Sequence, residues 1–216
     1  GVVIEKVAYT PLRSAPRLSL LITAIGISFL LENGAQLLFG ADTKSMDTLV
    51  PGNVSFGSVT ISYTAILTII VAVIAMVALT LLVQKTKLGK AMRAVSEDMG
   101  AAQLMGISLN RTISFTFAIG SALAGIGSVL YLCAYQQASP TMGSMLGLKA
   151  FVAAVLGGIG SIPGAMIGGF AIGLLEALVA AVGLSVWKDA VVFAILIVVL
   201  LVKPSGIMGH PVTEKV

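Results

Sequence analysis

Long apolar runs separated by short polar stretches set the pattern of this chain. Thr64 to Val83 is twenty residues without a charge, and at about 1.5 Å per residue a helix of that length crosses a hydrocarbon core of roughly 30 Å. Leu18 to Gly40 and Thr112 to Tyr135 are of similar length; the first carries Glu32, Asn33 and Gln36, the second a run of small residues from Gly120 to Ser128. Small residues at that density let helix backbones approach closely, so Thr112 to Tyr135 is expected inside the bundle rather than against lipid. Leu148 to Gly160 and Ile162 to Val182 meet at GGIGSIPGAMIGG, from Gly157 to Gly169. That interruption marks either a tight turn between two spans or a broken, re-entrant helix pair whose freed backbone groups line protein or a wet cavity. Ala190 to Val202 is the last apolar run. Together these runs describe an all-α polytopic membrane protein, a helical bundle of about six transmembrane segments. Between the first two spans the alternation of Val54, Phe56, Val59 and Ile61 fits a short hairpin or a loop lying against the bundle.

The one substantial polar island is Lys85 to Arg111. Its five basic residues (Lys85, Lys87, Lys90, Arg93, Arg111) outnumber two acidic ones (Glu97, Asp98), an excess that puts a short loop on the cytoplasmic side. Leu88, Met92, Val95, Met99 and Ala102 recur at helical spacing, opposite Lys90, Arg93, Glu97 and Asp98, so the island reads as one amphipathic surface helix. Arg93 and Glu97 stand four apart, where they can pair weakly. Gly106 is the expected stop, and Ser108 or Asn110 the expected cap of the next helix. Such a helix either lies on lipid headgroups or docks its apolar stripe into the groove of another protein.

With 57% hydrophobic and 10% charged residues, against about 25% charge in a soluble domain, the chain exceeds what its own core could hide. Its net charge of +4 is then a sign of membrane orientation rather than of nucleic-acid binding. The single cysteine, Cys133, lies in an apolar run and is expected as a buried thiol; the single histidine, His210, lies in the polar tail. Neither a disulfide, a cysteine-based metal site nor a histidine cluster follows from them. The chain begins at Gly1 with no leader before the first span, which leads us to expect the later part of a longer protein.

Ionisable residues inside spans are the candidates for a solute path. Glu32 and Gln36 share one helical face, and either line such a path or sit near the outer interface. Glu176 is mid-helix, facing a polar interior or an unidentified partner. The glycines of the interruption, Gly157, Gly158 and Gly160, are further candidates. Lys149 is expected to snorkel to the outer surface. Lys203, Pro204 and Lys215 finish on the cytoplasmic side.

No P-loop, HExxH, GxSxG, DxDxDG or paired-cysteine motif is present, and no proton-relay series, voltage sensor or potassium-type filter. A bundle that moves a solute uphill without a nucleotide site needs an external motor. GKAMRAVSEDMGAAQLMGISLNRTISFTFAIGSALAGIGSVLY closely resembles the LivH type of permease subunit in bacterial ABC importers for branched-chain amino acids. GLKAFVAAVLGGIGSIPGAMIGGFAIGLLEAL and YTPLRSAPRLSLLITAIGISFLLENGAQLLFG resemble further parts of the same family. The resemblance implies a single transmembrane permease domain over 1–216, itself a fragment, with 85–111 as cytoplasmic coupling loop. Glu97, Asp98, Gly100, Ala101, Ala102, Leu104, Met105, Gly106 and Ile107 would then meet a cytoplasmic ATPase. It also implies a second, similar permease, two ATPase subunits that use the ATP, a periplasmic binding protein, and a place in the bacterial inner membrane. This chain itself would be no enzyme and would bind no metal and no cofactor. Related permeases serve urea or short amides. Outside that resemblance, the pattern is also compatible with an ATP-independent channel, a secondary carrier, or a structural subunit.

Overall fold

The computed structural model describes residues 1–12, 15–47, 50–56, 59–203 and 205–209. The features expected at Pro204, His210 and Lys215 lie outside the described residues. The chain falls into two compact units, Gly1–Met142 and Gly143–Val216.

The first unit starts with a short entry helix, α1, which is α-helical over Val2–Ile4 and widens into a π-helix over Glu5–Tyr9. Then come α2 (Arg17–Phe39), a brief strand β1 (Lys44–Ser45), the strands β2 (Asn53–Phe56) and β3 (Val59–Ser62), and α3 (Tyr63–Lys85). β2 and β3 pair antiparallel, Val54 opposite Ile61, so the alternating stretch forms a hairpin. Ser62 ends it and begins the next helix, its Oγ accepting from the Ala65 N–H at 3.3 Å, which satisfies one of the amides a helix start leaves unpaired. After two short helices comes α6 (Leu109–Tyr135). β4 (Gln137–Ala138) pairs with β1, Lys44 opposite Ala138, and this tie joins the far ends of α2 and α6.

The second unit is a three-helix element: α7 (Met142–Gly157), α8 (Ile162–Ala181) and α9 (Lys188–Val202), the last preceded by a 3₁₀ turn at Ser185–Trp187. Val152, Ile172 and Val192 form its buried core, packed by Ala153, Phe193 and Leu196. The glycine-rich interruption is a tight turn. Ser161 caps α8, accepting from the Gly164 N–H at 3.1 Å, and the backbones of α7 and α8 run so close that a Cβ on Gly157 would strike the Gly164 carbonyl and one on Gly168 the Ala153 carbonyl. The segment beyond α9 folds back under this turn: the Ile207 and Met208 N–H groups donate to the Leu156 and Gly157 carbonyls at 2.9 and 3.0 Å, supplying the donors that the end of α7 lacks.

Among the described residues five helices are long and apolar enough to cross a membrane, whereas Met142–Gly157 is shorter; its sixteen residues span about 24 Å, less than a full hydrocarbon core. α2 and α3 bury none of their apolar windows within the chain. Cys133 is a buried free thiol. One expectation is corrected: Gly120, Gly125 and Gly127 of α6 have open space over their Cα atoms, so this stretch is not in the chain's own core. A small-residue surface lowers the cost of close approach but brings no partner within the chain by itself.

Because the α7–α8 contact is backbone on backbone, replacing Gly168 by Val is expected to force the pair apart at about 1–3 kcal/mol and to lower the thermal midpoint of the detergent-purified protein. Gly173→Ala on the same helix, where nothing lies within 4 Å, is expected to leave the midpoint unchanged.

Candidate functional site

The polar island folds into two helices rather than one. Thr86 opens α4 (Lys87–Glu97), its Oγ1 accepting from the Gly89 N–H at 3.0 Å. Gly89 is buried against the end of α3, where a Cβ would collide with the Leu82 and Val83 carbonyls; only a bare Cα lets α4 turn back this tightly. Asp98 breaks the expected continuous helix. Its backbone is extended (φ −152°), it ends α4, and its Oδ1 caps α5 (Met99–Leu104) by accepting from the Gly100 and Ala101 N–H groups at 2.8 and 3.0 Å. Asp is among the residues that favour a cap over a helix interior, since its short side chain reaches the free amides. The stripe from Leu88 to Ala102 is therefore bent at Asp98. The Arg93 guanidinium donates to the Gln84 carbonyl at 3.5 Å, and no Arg93–Glu97 ion pair forms among the described residues.

The end of α5 is equally defined. Gly106 stands at φ 81°, its N–H donating to the Gln103 carbonyl and the Ile107 N–H to the Ala102 carbonyl, both at 3.0 Å, the doubly closed left-handed stop that glycine permits. Ser108 begins α6 without a side-chain cap bond. Between these fixed ends Ala102 is 3% exposed, whereas Leu104 and Met105 are 91% and 83% exposed and Met99 57%. Of the nine residues expected to meet a motor, then, Ala102 holds α5 to the fold, Asp98 and Gly106 set its ends, and Leu104 and Met105 present an apolar face. α4 and α5 both pack on α6.

The candidate path residues belong to both units. Glu32 and Gln36 are half-buried on α2 in the first unit. Gly157, Gly158 and Gly160 lie in the second unit's turn, where Gly158 abuts Gly209 and Gly160 has open space. Glu176 has a partner that sequence reasoning did not identify. The Lys149 Nζ sits between Glu176 Oε1 at 2.8 Å and Asp189 Oδ1 at 2.7 Å. Lys149 is partly exposed and paired there: two carboxylates within reach lower the cost of keeping its charge beside the helices. The three charges stand three or four residues from Val152, Ile172 and Val192, so an ionic layer lies one turn from the apolar layer of the same three helices. Its signal in the sequence was the coincidence of three charges at that offset, visible only once the helices are known to be neighbours. Among the described residues no group of acids, histidines and cysteines could hold a metal ion.

Removing Lys149 leaves two carboxylates facing each other without a cation. Lys149→Met is expected to destabilise the purified protein by somewhat less than the roughly 3–5 kcal/mol of a fully buried pair, because the three side chains are about a quarter to a third exposed. The combined Lys149→Met, Glu176→Gln, Asp189→Asn variant is expected to recover most of the lost thermal midpoint.

Residues 2–200 match the model of a family described as the permease component of branched-chain amino acid transport systems. The chain is 48% identical to the high-affinity branched-chain amino acid transport system permease protein BraD of Pseudomonas aeruginosa, over all of this chain and 72% of that protein. It is 47% identical to LivH of Salmonella typhimurium and 46% identical to LivH of Escherichia coli K12, both named as permeases of the same kind, in each case over 99% of this chain and 71% of the relative. No solved structure matches the chain.

Proposed function

We propose a function from one premise: the chain belongs to the family of permease components of branched-chain amino acid transport systems. It is a multi-pass membrane subunit of an ABC importer, and its solutes are the branched-chain amino acids. It works in the bacterial inner membrane beside a second, similar permease, with two ATPase subunits on the cytoplasmic face and a periplasmic binding protein delivering leucine, isoleucine or valine.

The observation that carries the mechanism is the exposed apolar face of α5, held between a capped start and a glycine stop. A helix of six residues is too short to be stable by itself in water. Asp98 and Gly106 close its ends, and α4 and α6 hold its inner side. What remains outward, Met99, Leu104 and Met105, is the size and chemistry of a knob for a groove on another protein. The basic excess of 85–111 supports a cytoplasmic position, where the ATPases are. ATP-driven closure of the two ATPases would press on α5. α5 bears on α6, and a stiff helix passes the displacement into the bundle as a small rigid shift or tilt. Glu97, Gly100, Ala101 and Ile107 belong to this contact, with Asp98, Ala102 and Gly106 holding its shape. Glu32, Gln36 and Glu176, with Gly157, Gly158 and Gly160, remain the proposed points near the path.

A charged residue in the knob should separate docking from folding. Leu104→Asp combined with Met105→Asp is expected to leave permease yield and thermal midpoint within error, to abolish co-purification of the ATPase subunits, and to lower ATP-dependent uptake of leucine into sealed vesicles at least tenfold. Uptake at the unaltered rate with ATPases still bound would contradict this use of α5.

A further inference from the structure

Glu5 is the one charged side chain that is fully buried among the described residues. A carboxyl group gives up its hydration only where other groups replace it, and two hydroxyls are among them. Ser114 of α6 donates its Oγ–H to Glu5 Oε2 at 2.6 Å, and Thr10 donates to Oε1 at 3.0 Å. The Thr10 N–H closes the π-turn on the Glu5 carbonyl at 2.9 Å, the wide turn that marks functional sites more often than ordinary helix does. Tyr9 packs on Phe117 with ring centroids 5.2 Å apart, and Gly1 lies against Ser121. The entry helix is thus laid along α6 from Ser114 to Ser121, with Glu5 as its polar fastening.

Where that fastening lies gives it a role. Ser114 is five residues from the start of α6 at Leu109, about 7.5 Å along the axis. The same helix carries α4 and α5, and the entry helix also touches α2. We infer that Glu5 is a positioning residue for transport: it fastens the entry helix to the loop-proximal end of α6, so that a push on α5 moves α6, the entry helix and the foot of α2 as one body. Without the fastening α6 still receives the push, but the foot of α2, the helix that carries Glu32 and Gln36, follows it less, held then through the β1–β4 tie at the far end. This rests on the importer reading above.

The test uses the complete importer in sealed vesicles, with ATP hydrolysed and leucine moved measured together. Ser114→Ala removes the bridging hydrogen bond but leaves Thr10 on Glu5. It is expected to preserve assembly with the ATPases and to raise the ATP hydrolysed per leucine roughly 2- to 30-fold, the range over which changes along a coupling chain act. Ser114→Thr, which keeps the hydroxyl, is expected to restore the ratio, and Ser114→Ala made in a Glu5→Ala background to add nothing further. An unchanged ratio in an assembled Ser114→Ala importer overturns the inference, and so does loss of assembly in that variant, which would make the contact a requirement of folding alone. Failure of the unaltered complex to need ATP for uptake would instead overturn the importer reading.

Discussion

The bilayer hydrocarbon is the constraint on which every other feature of this chain depends. Few side chains are buried within the protein itself, and α2 and α3 leave whole apolar windows open. In water such a surface would collapse or aggregate; in lipid it costs nothing, and the fold is governed by what lipid will not accept. Free backbone groups are one such thing. The helices satisfy theirs internally, and their ends are closed by Ser62, Thr86, Asp98 and Ser161 at starts and by Gly106 and the returning Ile207–Met208 backbone at stops.

Isolated charge is the other. Lys149 and Glu5 meet it in different ways. Lys149 draws two carboxylates onto one ammonium and so joins three helices in one register. Glu5 accepts hydrogen bonds from a hydroxyl of its own turn and one of α6. Each arrangement costs more to break than to keep, because a partly or fully buried charge would lose a partner. Charge placement therefore specifies which helices are neighbours in a bundle whose apolar surfaces alone discriminate poorly.

The spans, the hairpin of 53–62, the polar island and its glycine stop were legible in the sequence because each rests on a local signal: run length, two-residue alternation, charge clustering, a residue type suited to positive φ. The family was legible too, from the stretches around 89–131 and 147–178. The bend at Asp98 was hidden by a stripe of apolar residues that continues in helical phase across it, although an Asp followed by Met-Gly-Ala-Ala is itself a cap signal. The Lys149 partners and the role of Glu5 rest on contacts between residues 27 to 109 positions apart, and periodicity carries no information about those. The small residues of α6 suggested internal packing because their signal gives closeness of approach without saying to what.

The central claim is that α5 faces the cytosol and is covered there by an ATPase. Its most direct measurement is labelling of Leu104→Cys in a Cys133→Ala background with a membrane-impermeant maleimide. The account predicts no labelling from outside intact cells, labelling after the membrane is opened, and protection when the ATPase subunits are bound. Labelling from outside intact cells would place the loop on the wrong side of the membrane and contradict it.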